Sequence, residues 1–295
     1  MFDNIKILAP LDFSNLSLEG LKAAQTMAKA FNGTITPIHA YIPVTEMDGP
    51  YSIGLGPGAN EDYEEIEETL VDRLNETARE HVDEKYLNEG IITVGNPAYS
   101  IVEASKDYDM IAISTHGRTG FSRLILGSVA EKVLRLAHVP VLVVEKESQL
   151  EPIERIMVTT DFSDNSAIAF PYAKEIAQKT KASLDLLHII SYDQFEKNQT
   201  SDSVISLRQQ RLDLINKEYF HDIENQFNYE VIVSEDTPHE AIRKKDLEEK
   251  YNLIIMATVG RTGLDYLMMG STTANVVRHV KTAVLSINPK RSEDS

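Results

Sequence analysis

Ser114, Gly117 and the pair Gly127-Ser128 stand at a spacing that suits the binding of a chain of phosphates. They follow the apolar run Met110-Ile111-Ala112-Ile113 and precede a stretch in which Val129, Val133, Leu134 and Leu136 recur at roughly helical spacing. A Gly-Ser pair opening a helix, with Ser128 as the N-cap, leaves backbone N–H groups and the positive end of the helix dipole facing outward, which makes an anion site. Gly117 and Gly127 remove Cβ where backbone would lie against a ligand, and the residues between them are enough to curl round phosphates. One copy of this pattern reads equally as an ordinary strand-to-helix connection in an α/β protein.

The pattern occurs twice. Leu253-Ile254-Ile255-Met256 enters Ala257-Thr258-Val259-Gly260-Arg261-Thr262-Gly263, Gly270-Ser271-Thr272 opens a helix, and Ala283–Ile287 closes the unit as a strand, as Val141–Val144 does in the first half. In both halves a small residue, two residues, a glycine, nine residues, a glycine and a serine follow one another. This spacing resembles the ATP-binding signature of the universal stress proteins, Gly-x2-Gly-x9-Gly-Ser/Thr, with Ser114 and Ala257 in place of the first glycine. The resemblance covers nearly the whole chain, once in each half.

It implies an α/β fold of two tandem Rossmann-like (adenine nucleotide alpha hydrolase-like) domains, residues 1–146 and 152–289, each a five-stranded parallel sheet with helices on both faces. It also implies binding of ATP (or AMP/ADP). Pro10, Leu11 and Asp12 would lie beside the ribose and adenine, and Ala40 against the base. Ser114, His116, Gly117, Arg118, Gly120, Gly127, Ser128 and Val129 would surround the phosphates. The matching residues in the second half are Thr160, Asp161, Ile189, Ala257, Gly260, Arg261, Gly263, Gly270, Ser271 and Thr272. Domains of the family commonly pair through their last strands, which would set Val141–Val144 beside Val284–Ile287 as an internal pseudo-dimer and cover two apolar edges. A homodimer of the tandem unit stays open. Mg²⁺ is expected from phosphate chemistry, not from a visible ligand cluster, and no metal-binding residues are assigned.

The elements that would position these residues alternate strand and helix, the pattern of a parallel, doubly wound sheet. Ile5–Ala9 and Thr34–Tyr41 read as strands, with Pro37 marking a bulge or strand end. Between them runs a helix capped by Ser14 or Asn15 and ended by Asn32-Gly33. Residues 43–60 read as a Gly/Pro-rich lid, and Glu61 to about Tyr86 as an amphipathic helix with Ile66, Leu70, Leu74 and Thr77-Ala78 inward. Gly90–Val94 is a third strand, followed by a turn at Gly95-Asn96-Pro97 and a helix containing Ile101, Val102 and Ala104. After a charged linker at Glu145–Pro152 the order repeats. Asp12 to Asp161 and His39 to His188 are each 149 apart, whereas Gly117 to Gly260 and Gly127 to Gly270 are each 143 apart. A single six-residue deletion between His188 and Gly260 accounts for the difference. Pro171 is expected to kink a helix running from Ser163 to about Thr180, the polar run Gln194–Ser203 replaces the lid, and the tail after Asn288 is expected to be disordered.

At 295 residues the chain suffices for two ordinary domains. Its net charge of −17 is concentrated: residues 61–89 hold 12 Asp/Glu against 3 Lys/Arg, the composition of a solvated helix face. No Lys/Arg stripe supports nucleic-acid binding. The absence of cysteine excludes disulfides and thiolate chemistry. With no signal-peptide pattern and no apolar run long enough to span a bilayer, a soluble cytoplasmic protein is expected.

Asp12 and Asp161 suit nucleotide contact or helix capping, or both. Ser128 and Ser271 are N-caps in either case. His116 has Val259 as its counterpart, so its backbone N–H is the expected functional group. Arg118 and Arg261 pair either with a terminal phosphate or with a surface carboxylate. His39 and His188 suit buried, hydrogen-bonded positions better than metal ligation. No P-loop lysine, no nucleophile elbow and no repeated nucleophile–base pair is present, so no catalytic residue is assigned. Nucleotide-dependent regulation of a stress response is the expected function. A slow ATPase and a nucleotide-independent scaffold are the alternatives, and one half binding while the other is degenerate stays open.

Overall fold

Lys6–Pro10 (β1) is buried at every position but Lys6, as a strand covered on both faces must be. It pairs in parallel with Thr34–Tyr41 (β2) on one side and Met110–Ser114 (β4) on the other. Ile91–Val94 (β3) flanks β2, and Val141–Val144 (β5) flanks β4. The second half repeats the arrangement with Arg155–Thr159 (β6), Ser183–Ser191 (β7), Phe227–Ser234 (β8), Leu253–Ala257 (β9) and Ala283–Ile287 (β10). This computed structural model describes residues 2–42, 59–115, 126–192, 201–258 and 269–288.

Among the described residues the strands form one ten-stranded sheet, β3-β2-β1-β4-β5-β10-β9-β6-β7-β8. Each half is parallel throughout, and the halves meet through the antiparallel pair β5 and β10, with Leu142 opposite Leu285. Both leucines are fully buried, and each contributes on the order of 1.5–3 kcal/mol. The two apolar edges thus cover each other.

Ser17–Phe31 (α1) and Ala59–His81 (α2) pack on one face, and Pro97–Ala104 (α3) and Ser128–Leu136 (α4) on the other. In the second half Asp164–Ala167 (α5), Ala169–Thr180 (α6) and Ser201–Ile215 (α7) correspond to the first pair, and Pro238–Glu249 (α8) and Ser271–His279 (α9) to the second. The cores on both faces continue across the junction. Phe2 ties the halves together: its ring lies 5.3 Å from Tyr172, and its N–H donates to Glu175 at 2.8 Å.

Several sequence expectations are corrected by local physics. Pro37 causes neither a bulge nor a strand end: it pairs opposite Ala9 inside β2, and β3 joins β2 only from Ile38, so the missing N–H falls where no strand ladder has begun. Asn32, at φ 51°, takes the left-handed position that ends α1. Gly33 serves close packing instead, since a Cβ there would stand 2.3 Å from the Ile5 carbonyl oxygen. The helix expected over 61–86 runs over Ala59–His81, with a separate 3₁₀ turn at Glu84–Tyr86. Leu74 and Ala78 are buried on it, but Ile66 is 45% exposed. A helix of 23 residues, at ~1.5 Å per residue, outruns the strands it covers. The helix expected from Ser163 breaks at Ile168 into α5 and α6, because Pro171 cannot donate to the Ala167 carbonyl.

The length difference is not one deletion. His39 lies opposite Ile92, 53 residues on, whereas His188 lies opposite Val231, 43 residues on. The ten-residue shortening is partly restored around α8: Pro97 precedes Met110 by 13 residues, and Pro238 precedes Leu253 by 15.

Candidate functional site

In the first domain the strand order reverses between β1 and β4, and such a switch point opens a crevice at the strands' carboxyl ends. A cavity of about 330 Å³ lies there, lined among others by Pro10, Leu11, Asp12, Ala40, Ser114, Gly127, Ser128 and Val129. The structure therefore gathers eight sequence candidates around one space. Residues not named as candidates complete it: Ser17, Ile38, His39, Pro97, Ile101, Ile113, Thr115 and Ala130. Period-two alternation could have found one of them, since Ile38 shares a face with Ala40. His116, Gly117, Arg118 and Gly120, like Gly260, Arg261 and Gly263, lie outside the described residues.

The turn after β1 is built from its own side chains. Asp12 Oδ1 accepts hydrogen bonds from the Ser14 N–H at 3.0 Å and from the Ser14 hydroxyl. Ser14 Oγ in turn accepts the Ser17 N–H at 3.2 Å at the head of α1. Asp12 is thus not a helix cap, and the cap expected at Ser14 or Asn15 is corrected too: Leu16 is the N-cap of α1, with no side-chain capping bond, and Ser14 braces the turn that leads into the helix. Phe13, at φ 62°, takes the left-handed conformation that turns the chain. Its ring lies 4.6 Å from His39 and under the Arg73 guanidinium, 4.5 Å from the ring centre. His39 Nδ1 lies 2.7 Å from the Leu11 carbonyl oxygen, which fixes the two strand ends against each other.

At the opposite wall Gly127, not Ser128, is the N-cap of α4, with φ −59° and ψ 141° and no side-chain capping bond. Its amide donates to the Thr115 carbonyl at 2.7 Å, and its carbonyl accepts the Glu131 N–H at 2.9 Å. Ser128 is the first helical residue, so the capping role expected of it is corrected. Capping is done by the residue before the first helical one, whose backbone is still extended, and that residue here is glycine. The first-turn N–H groups of α4 therefore open onto the cavity without a side-chain acceptor at the cap. The dihedrals of Gly127 suit any residue; glycine contributes the absence of a side chain.

The second domain reproduces both walls. Asp161 Oδ1 accepts the Ser163 N–H at 2.9 Å, Phe162 sits at φ 63°, and Ser163 caps α5. Phe162 lies 4.1 Å from His188 and beneath Arg211, at 4.7 Å, while His188 Nδ1 lies 2.8 Å from the Thr160 carbonyl oxygen. Gly270, not Ser271, is the N-cap of α9, at φ −55° and ψ 139°, and donates to the Thr258 carbonyl at 2.7 Å. Thr272 follows in the first turn, but the hydroxyl of Thr273 is committed, donating to the Ala257 carbonyl at 2.7 Å. Thr160 Oγ1 lies 3.0 Å from Ser166 Oγ, and Ile189 is buried.

The family model described as the universal stress protein family matches residues 4–145 and again 152–288. The chain belongs to that family. A universal stress protein of Methanocaldococcus jannaschii is 36% identical over 149 residues, covering 48% of this chain and 82% of the relative. One from Mycolicibacterium smegmatis is 23% identical over 301 residues, covering 96% of this chain and 97% of its own, so it is similar to both domains together. A universal stress protein structure from Archaeoglobus fulgidus superposes with a TM-score of 0.73 at 24% identity, covering 97% of this chain and 99% of that one, and shows the shared fold. In this tandem universal stress protein, no helix among the described residues is long and apolar enough to cross a membrane.

Proposed function

We propose that the first domain binds an adenine nucleotide, ATP or its AMP/ADP relatives, and that the protein acts as a nucleotide-dependent regulator of a stress response in the cytoplasm. One observation carries this most directly: a single cavity joins an apolar wall at Ile38 and Ala40 to the uncapped N-terminus of α4 at Gly127. The apolar end suits the faces of a purine, and the amide end suits phosphate oxygens. Asp12 lies between them at the end of β1, the place of a ribose contact. Its Oδ1 is engaged by Ser14, which holds the carboxylate in a fixed orientation toward the cavity.

About 330 Å³ lies within the roughly 300–1,000 Å³ usual for small-molecule clefts. Mg²⁺ would enter with the phosphates, held chiefly by their oxygens and water. The domains are taken as residues 1–146 and 152–289, with the internal pseudo-dimer as the working unit.

Calorimetric titration of Mg-ATP into the full chain tests the proposal. Saturable binding that is weakened by Gly127→Val supports it. Absence of heat and of any thermal shift with ATP, ADP and AMP would remove it and favour a nucleotide-independent scaffold.

A further inference from the structure

We infer that the second domain has closed its own pocket with two side chains, Ile189 and Thr273, so that the chain carries one nucleotide site and not two. This rests on the nucleotide binding proposed for the first domain. The positional equivalence is fixed by geometry: His39 and His188 each contact the carbonyl that precedes the Asp-Phe-Ser turn, and Gly127 and Gly270 each donate to the threonine two residues beyond Ile113 and Met256. Ala40 therefore corresponds to Ile189, and Ala130 to Thr273.

In the first domain Ala40 and Ala130 line the cavity. In the second, Ile189 is 9% exposed and belongs to the apolar core with Ile242, Met256 and Val276. Thr273 is 3% exposed, and its hydroxyl reaches from α9 to the Ala257 carbonyl on β9. Ala257 takes the place of Ser114, another cavity wall, so the Thr273 hydroxyl adds a helix-to-strand bond where Ala130 offers only a methyl group. Met256 in place of Ile113 is close to volume-neutral and does not discriminate. The helix terminus itself has changed little, since Gly127 and Gly270 share their dihedrals within a few degrees. What differs is the size of the side chains at two wall positions, Ile189 for Ala40 and Thr273 for Ala130.

Equilibrium dialysis of the full chain against Mg-ATP tests this with three variants. Wild type is expected to bind about one nucleotide per chain, and Ile189→Ala with Thr273→Ala about two, since the larger side chains are what fill the second site. Gly127→Val is expected to bind none, and this variant decides the matter even where the double variant does not fold. Two nucleotides on wild type, one retained by Gly127→Val, or no gain in a folded double variant would each overturn the inference. No nucleotide on wild type or on the folded double variant would instead defeat the proposed nucleotide function, and this inference with it.

Discussion

Asp12-Phe13-Ser14 and Asp161-Phe162-Ser163 adopt the same turn, down to a left-handed phenylalanine between a histidine and an arginine. Toward the amino ends of the neighbouring strands, β2 and β7, the two domains part company. Thr36 in the first domain is buried and accepts a single bond from Asn88 at 3.2 Å. Its counterpart Asp185 is a buried carboxylate that accepts from Arg155 at 3.0 Å, Tyr251 at 2.7 Å and Asn228 at 3.1 Å. Burial and the neighbouring Asp185 push the Tyr251 phenol upward, so it remains a donor across the ordinary pH range. The first domain keeps a cavity at one end of its sheet and simple packing at the other. The second fills its strand ends and builds an ionic cluster instead. The duplicate has become the more self-contained partner, while the shared β5–β10 seam holds both.

The largest expected difference between the halves is in stability. Asp185→Ala removes the acceptor of Tyr251 and Asn228 and one of the two carboxylates at Arg155, and is expected to cost about 2–3 kcal/mol in urea unfolding, the upper range for leaving buried donors without their acceptor. Thr36→Ala, at the matching place, is expected to cost only about 1 kcal/mol. Equal costs would erase the contrast. Next comes binding: Gly127→Val is expected to weaken Mg-ATP at least about tenfold, or ~1.4 kcal/mol, while Gly270→Val leaves titration unchanged. A smaller effect concerns pH. Burial raises the Asp246 carboxyl despite bonds from Thr282. Between its ordinary value and the raised one, the folded chain keeps a proton that the unfolded chain has released, so this group's contribution to stability falls as pH rises through that window. Asp246→Asn is expected to flatten that slope in unfolding curves taken across the acid range; an unchanged slope would assign it to other carboxylates.

Much of this was legible in the residues themselves. The strands read correctly because buried parallel strands are apolar runs bounded by turn residues, and the pairing of Val141–Val144 with Val284–Ile287 followed from the resemblance. The buried, carbonyl-bonded histidines also follow from sequence. What stayed hidden depends on three-dimensional placement. A Gly-Ser pair does not announce which residue is the cap, and Ser128 and Ser271 both proved to be one position inside. Arg73 and Arg211 are 138 residues apart, a separation matching neither the 149 nor the 143 offset because it falls within the altered segment, so no repeat comparison pairs them. Nothing in the sequence tells which way the Thr273 hydroxyl faces; its bond to Ala257 shows that it faces the protein.

The central claim, an adenine nucleotide in the first-domain cavity, is tested most directly by mass spectrometry of the small molecules released on denaturing freshly purified full-length protein, paired with thermal unfolding in the presence of Mg-ATP. Adenine nucleotide in the released fraction, together with a rise in unfolding temperature on adding Mg-ATP that Gly127→Val abolishes, is the predicted result. No released nucleotide and no thermal shift would contradict it.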